Sequence, residues 1–460
     1  MIRKLLWVLA ALVVVPAAIA VFLRANGTII PGLGTPGLSP AFAQAAAAGD
    51  SLELAQKAYT RCRLLRGKAK SGCYEEVLLT LVKERKIRVA IGTLARIGAL
   101  DGEVRRLGHD YSHIIGINAW RPGEDLASAY EQCTELYQSG CYHGVIQVYL
   151  TAKGATAESV PELCNSIPST RDILFLRFQC VHGLGHGMVM LNKAHLPKAL
   201  AGCDLLPSAW DRDSCYGGAF MEFILAGRGQ SHGEHAAHVV EELAAADSAA
   251  GGGGGTAHAH EPAADEHADH EMPSDTFAIR RPGDLLYPCN ALGDKYQRAC
   301  YAMQAGIMVE SVGLDFARVA EGCNQAPELW IPTCYQGIGT YVSGATVQDP
   351  ADAITECNKG RLEYQPWCYI GVVKNFIDVT ARPADGLEFC GRIGHEASRV
   401  ACYVAVGEQV SVLQTWMEDR AKFCDTVVAD GQAACRFGAG LTDDVPRGLL
   451  RPDWFRRPVN

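Results

Sequence analysis

The residues best placed to do chemistry lie in Cys180-Val181-His182-Gly183-Leu184-Gly185-His186-Gly187-Met188. Two histidines four apart share one face of a helix, one turn above the other, and can offer two imidazoles to a single metal ion. A second such pair occurs in Gly108-His109-Asp110-Tyr111-Ser112-His113, and a fifth histidine in Cys141-Tyr142-His143-Gly144. His143 and His182 each stand two residues after a cysteine, in one recurring slot. In the next copy, Cys215-Tyr216-Gly217, a glycine takes that slot, and Met221 and Glu222 follow one turn later. Hairpins that stack would therefore project His143 and His182 from equivalent faces, with His186 one turn below. Glu222 or the His109/His113 pair could complete the set. Neutral imidazole suits zinc, copper or iron. A carboxylate favours zinc or iron, whereas Met188, Met190 or Met221 would favour copper. The nearby glycines also have a structural explanation in close helix–helix packing.

The elements that must position these residues are marked by cysteine. The first cysteines of successive pairs fall at 289, 323, 357, 390 and 424, and the second at 300, 334, 368, 402 and 435, a period of 33 or 34 residues. Such a period fits a helix-turn-helix unit. Tyr301, Tyr335, Tyr369 and Tyr403 follow the second cysteines and read as core residues. The same grammar extends backwards less regularly through Cys62/Cys73, Cys133/Cys141, Cys164/Cys180 and Cys203/Cys215. Pairing neighbours uses all 18 cysteines, whereas shifting by one strands Cys62 and Cys435 at opposite ends. The expectation is nine local disulfides, the remaining five being Cys289–Cys300, Cys323–Cys334, Cys357–Cys368, Cys390–Cys402 and Cys424–Cys435, each tying one helix to the next. Thiols used in this way imply an oxidising compartment.

The period and the stapling resemble Sel1-like and tetratricopeptide-type α/α repeats, above all the secreted, cysteine-stapled kind. The resemblance covers residues 283–440 well and 55–225 loosely. It implies an all-α solenoid and a binding surface for a protein partner, here on the regular C-terminal repeats.

The remaining composition sets limits. The 460 residues are 48% hydrophobic and 20% charged, which describes a folded protein, and a net charge of −9 gives no electrostatic case for nucleic acid. Residues 5–23 are apolar and follow Arg3 and Lys4, so residues 1–24 read as a signal-anchor or transmembrane helix, the alternative being a cleaved signal. Residues 25–50 form a linker, and everything beyond should lie outside the cytoplasm, on the periplasmic side of a cell envelope. The expected domains are an N-terminal helical domain carrying the histidines (51–230), an insertion (231–282), the regular repeats (283–440) and a tail (441–460). Within the insertion, residues 231–275 hold seven histidines, ten acidic residues and no lysine or arginine, a composition that builds no core. It is either a metal-collecting loop or a solvated linker. A helix is expected from Asp101 to about Trp120, ending before Pro122.

Three functional readings follow. The first is binding of a transition metal through clustered histidines. The second is a metal-free interaction scaffold of the envelope, and the third a metal-dependent oxidoreductase or hydrolase. No H-E-x-x-H, C-x-x-C-H, G-x-S-x-G or Walker motif occurs.

Overall fold

A computed structural model describes residues 40–228, 239–241, 277–449 and 451. The apolar run at 5–23 and nearly all of the histidine-rich insertion lie outside the described residues. Within them the chain is all-helical, save for one isolated bridge between Arg281 and Asp284. No helix among the described residues is long and apolar enough to cross a membrane. The chain divides into two compact units between Ile115 and Gly116.

The first unit contains α1 (Pro40–Ala48), α2 (Ser51–Cys62), α3 (Gly67–Lys83), α4 (Ile87–Leu100), α5 (Gly102–Arg106) and α6 (Gly108–Ile117), in which the division falls. Asp50 caps α2, its carboxylate accepting from the N–H groups of Leu52 and Glu53, both at 3.0 Å. Leu54, Ala55, Ala58 and Cys62 recur at helical spacing and are buried, as are Ile87, Ile91, Leu94 and Ile97 of α4. The helix expected from Asp101 to about Trp120 is interrupted. Leu107 closes α5 by donating to the Glu103 carbonyl at 3.1 Å, and Gly108, a poor interior residue, starts α6 afresh.

The second unit is a succession of hairpins, each a short helical segment followed by a longer helix. The chain runs through α7 (Leu126–Tyr130), α8 (Gly140–Lys153), α9 (Ser159–Leu163), α10 (Ser169–Asp172), α11 (Leu174–Leu191), α12 (Leu196–Cys203) and α13 (Ala209–Gly227). After the insertion come α14 (Asp294–Val312), α15 (Phe316–Cys323), α16 (Ile331–Ala345), α17 (Pro350–Cys357) and α18 (Gln365–Thr380). The last hairpins are α19 (Pro383–Gly391) with α20 (Glu396–Leu413), and α21 (Met417–Asp425) with α22 (Ala429–Gly438).

Disulfides join Cys62–Cys73, Cys133–Cys141, Cys164–Cys180, Cys203–Cys215, Cys289–Cys300, Cys323–Cys334, Cys357–Cys368, Cys390–Cys402 and Cys424–Cys435. Closing such short loops contributes about 2–3 kcal/mol each by restricting the unfolded chain. The tyrosine after the second cysteine adds a second lock. Tyr335 donates its hydroxyl to Asn324 Oδ1 at 3.0 Å, Tyr216 to Asp204 Oδ1 at 2.5 Å, and Tyr369 to Asn358 Oδ1. Each acceptor directly follows the first cysteine of its pair, so hydroxyl and disulfide pin the same corner of the hairpin.

The longer helices pack in chain order, α8 on α11, α11 on α13, and onward to α20 on α22. The array also curls back on itself, because α11 reaches α20 and the N–H groups of Tyr137 and Gln138 donate to the carbonyls of Val379 and Asp378 at 3.0 and 2.8 Å. At this closure the Asp378 carboxylate accepts from Gln409 Nε2 at 2.6 Å. Burial pushes the Asp378 carboxyl up to about 7, against the opposing pull of Lys374 and Gln409. A raised acid keeps a proton in the folded state that the unfolded chain has released, so stability falls as pH climbs from about 4 to about 7. Asp378→Asn is therefore expected to raise the melting temperature at pH 8, by the equivalent of roughly 1–3 kcal/mol, and to change little at pH 4. A pH series of thermal melts checks both ends of that window.

Candidate metal centre

Helix α11 is enclosed along the stretch Gln179–Val189. It carries His182 and His186 one turn apart, and its neighbours α8 and α13 supply His143 and Glu222. The register comes from the staples. Cys141 and Cys180 sit at equivalent points of successive hairpins, so residues two positions later face each other. Glycine allows the helices to meet closely enough for this to matter. A Cβ added at Gly183 would lie 3.0 Å from the Cα of His143. One added at Gly218 would lie 1.9 Å from the His182 carbonyl oxygen, and one at Gly185 2.0 Å from that of Cys215. These last two glycines face each other across the α11–α13 contact and bring the backbones together.

The consequence is a compact imidazole cluster. Ring centroids are 4.8 Å apart for His143 and His182, 5.2 Å for His143 and His186, and 5.1 Å for His182 and His186. One nitrogen from each ring lies within 4.8 Å of one from each of the others. Tetrahedral zinc, with Zn–N of about 2.0–2.1 Å, sets nitrogens about 3.4 Å apart, a distance that small side-chain rotations reach. His143, His182 and His186 are 2%, 5% and 0% exposed and Glu222 is 0% exposed, so the cluster is withdrawn from water.

Two of the rings are oriented from behind. His186 Nδ1 lies 3.0 Å from Glu222 Oε2, and that oxygen also accepts from Gln147 Nε2 at 3.1 Å. A carboxylate accepts from Nδ1–H, which leaves the lone pair of His186 on Nε2. His143 Nε2 lies 2.8 Å from Gln179 Oε1, so with the amide oxygen facing the ring its proton is on Nε2 and its lone pair on Nδ1. A carboxylate or amide behind each imidazole is the arrangement by which proteins fix the tautomer and ring plane of metal-ligating histidines.

Of the residues expected at the site, His143, His182 and His186 come together, and Glu222 stands behind His186. His109 and His113 lie on α6 in the first unit, with Nε2 atoms 3.1 Å apart and ring centroids at 4.5 Å. Met188, a candidate copper ligand, packs instead over α12, where its sulfur would lie 2.7 Å from a Cβ added at Gly202. Gln147 and Gln179 were not foreseen. Gln147 stands six residues after Cys141 as His186 does after Cys180, a slot correspondence that could have singled it out.

Fold and site together define a disulfide-stapled, all-helical protein whose core holds a cluster of three histidines able to hold a metal ion. No protein-family model, no curated protein and no solved structure matches the chain.

Proposed function

We propose that this chain is an extracytoplasmic helical-repeat protein that binds a divalent transition metal, zinc in the first instance, through His143, His182 and His186. One observation carries the reading: three imidazoles from two stapled hairpins converge in the buried core, and two of them are oriented by Glu222 and Gln179. Burying three imidazoles face to face gains little by itself, since each needs polar partners in the core. A shared ion rewards that arrangement. An all-nitrogen ligand set with a carboxylate behind it suits zinc and iron better than copper held by thioether. The nine disulfides support an oxidising compartment. The ordered packing of successive hairpins supports a curved solenoid, whose regular repeats 283–440 offer a surface to an envelope partner.

Elemental analysis of the untagged, oxidised full chain tests this. One equivalent of metal is expected in the native protein and none at the triad in His143→Ala, with any ion held by residues 231–275 common to both. Chelation should lower the melting temperature, since ligand at a thousandfold excess over Kd stabilises by about 4 kcal/mol. Binding should weaken as the pH falls below about 6, where protons compete for the imidazoles. Equal metal content in native protein and variant would count against the reading.

A further inference from the structure

A cavity of about 340 Å³ opens in the second unit between α13, α14, α16, α18 and α20. Its wall includes Gly217, Ala302, Gln336 and Ile370. Each stands two residues after a second cysteine (Cys215, Cys300, Cys334 and Cys368), the slot that His143 and His182 fill in the preceding hairpins. The imidazoles and the cavity are thus consecutive parts of one stripe.

They also meet. A Cβ added at Gly217 would lie 3.4 Å from both Cε1 and Nδ1 of His182. The missing side chain therefore leaves room for about one atom between this stretch of the cavity wall and that edge of the ring.

Charge indicates what the cavity would take. Its charged side chains pair among themselves: Arg298 with Asp213, and Lys374 with Glu408 at 2.7 Å. A divalent ion on three neutral imidazoles, with the Glu222 carboxylate behind one of them, leaves one positive charge uncompensated. In an enclosed site that excess attracts a single negative charge strongly. Trp367, Met303 and Ile370 add apolar surface. The volume lies within the range of sites that hold small organic molecules.

We propose that this cavity is the ligand chamber of the metal centre. It admits a small organic monoanion with a carboxylate-type oxygen donor, which binds the ion at a coordination position on the Gly217 side of His182. The proposal rests on the metal reading above and deepens it: three protein ligands and one exchangeable position make an open site, the kind that binds or transforms a substrate.

Cobalt(II) loaded into the metal-free full chain provides the test, since its visible absorption reports each change of ligand. Azide and benzohydroxamate serve as a small and a larger monoanionic probe. Both are expected to shift the spectrum of the native protein saturably. Ala302→Leu, on α14, a helix that carries no triad residue, should keep one equivalent of cobalt and the azide response while weakening benzohydroxamate about tenfold or more. Gly217→Leu should weaken both probes; if it loses cobalt, Ala302→Leu decides alone. A triad that binds cobalt but whose spectrum neither probe moves would overturn the chamber and leave the metal site standing. So would equal benzohydroxamate affinity in native protein and Ala302→Leu. Failure of the triad to take up cobalt would overturn both readings.

Discussion

Adding one methyl group at Gly218 is expected to destabilise the second unit by about 3 kcal/mol or more, an unusually large effect for so small a change. The new Cβ would sit 1.9 Å from the His182 carbonyl oxygen, and the obstructing atom is backbone that no rotamer change can move. Relief requires α11 and α13 to separate by an ångström or more. That separation would also displace His182 and His186 from His143, so Gly218→Ala should lose metal affinity together with stability. Gly344→Ala on α16 is the control. Its Cβ would meet nothing within 4 Å, and replacing a helical glycine by alanine in open space is neutral or stabilising by up to about 1 kcal/mol. Thermal or urea unfolding of the two variants checks the contrast, and similar midpoints would show that the α11–α13 approach is looser than described.

The second large effect concerns the ion. His182→Ala removes a ligand from the centre of the cluster, and metal affinity should fall by about three orders of magnitude or more, beyond the 10–100-fold typical of losing an orienting partner. Glu222→Gln keeps the shape and an oxygen for His186 Nδ1–H but gives up the negative charge. Its affinity should fall by about 10–100-fold with the stoichiometry intact. Competition titrations with a chromophoric chelator separate these outcomes. If Glu222→Gln abolished binding as completely as His182→Ala, the carboxylate would belong among the ligands themselves, instead of behind His186.

How much of this was legible in the sequence follows from what the disulfides constrain. Each cysteine pair sets the register of its hairpin, so residues at equal offsets from Cys141 and Cys180 face alike, and the meeting of His143 with His182 could be read from spacing alone. The i,i+4 relation then brought in His186. The glycines beside the histidines had an explanation in packing, and Gly183 and Gly185 bear it out by the distances of their absent Cβ atoms from the neighbouring backbone. Other features depend on relations the local sequence does not carry. Whether Glu222 points at an ion or at the back of an imidazole is decided by a fraction of a helical turn between α11 and α13. Gln147 and Gln179 are ordinary residues until a histidine faces them. The closure that brings Tyr137 and Gln138 to the end of α18 joins residues far apart in the chain, a contact that no local spacing records.

The central claim is that His143, His182 and His186 share one ion, and X-ray absorption at the metal edge of the singly loaded protein tests it most directly. The account predicts imidazole scattering from three rings, with nitrogens at about 2.0–2.1 Å for zinc, falling to two rings in His143→Ala protein reloaded at high metal concentration. A first shell with fewer than three imidazoles in the native protein, or one that His143→Ala leaves unchanged, would contradict it.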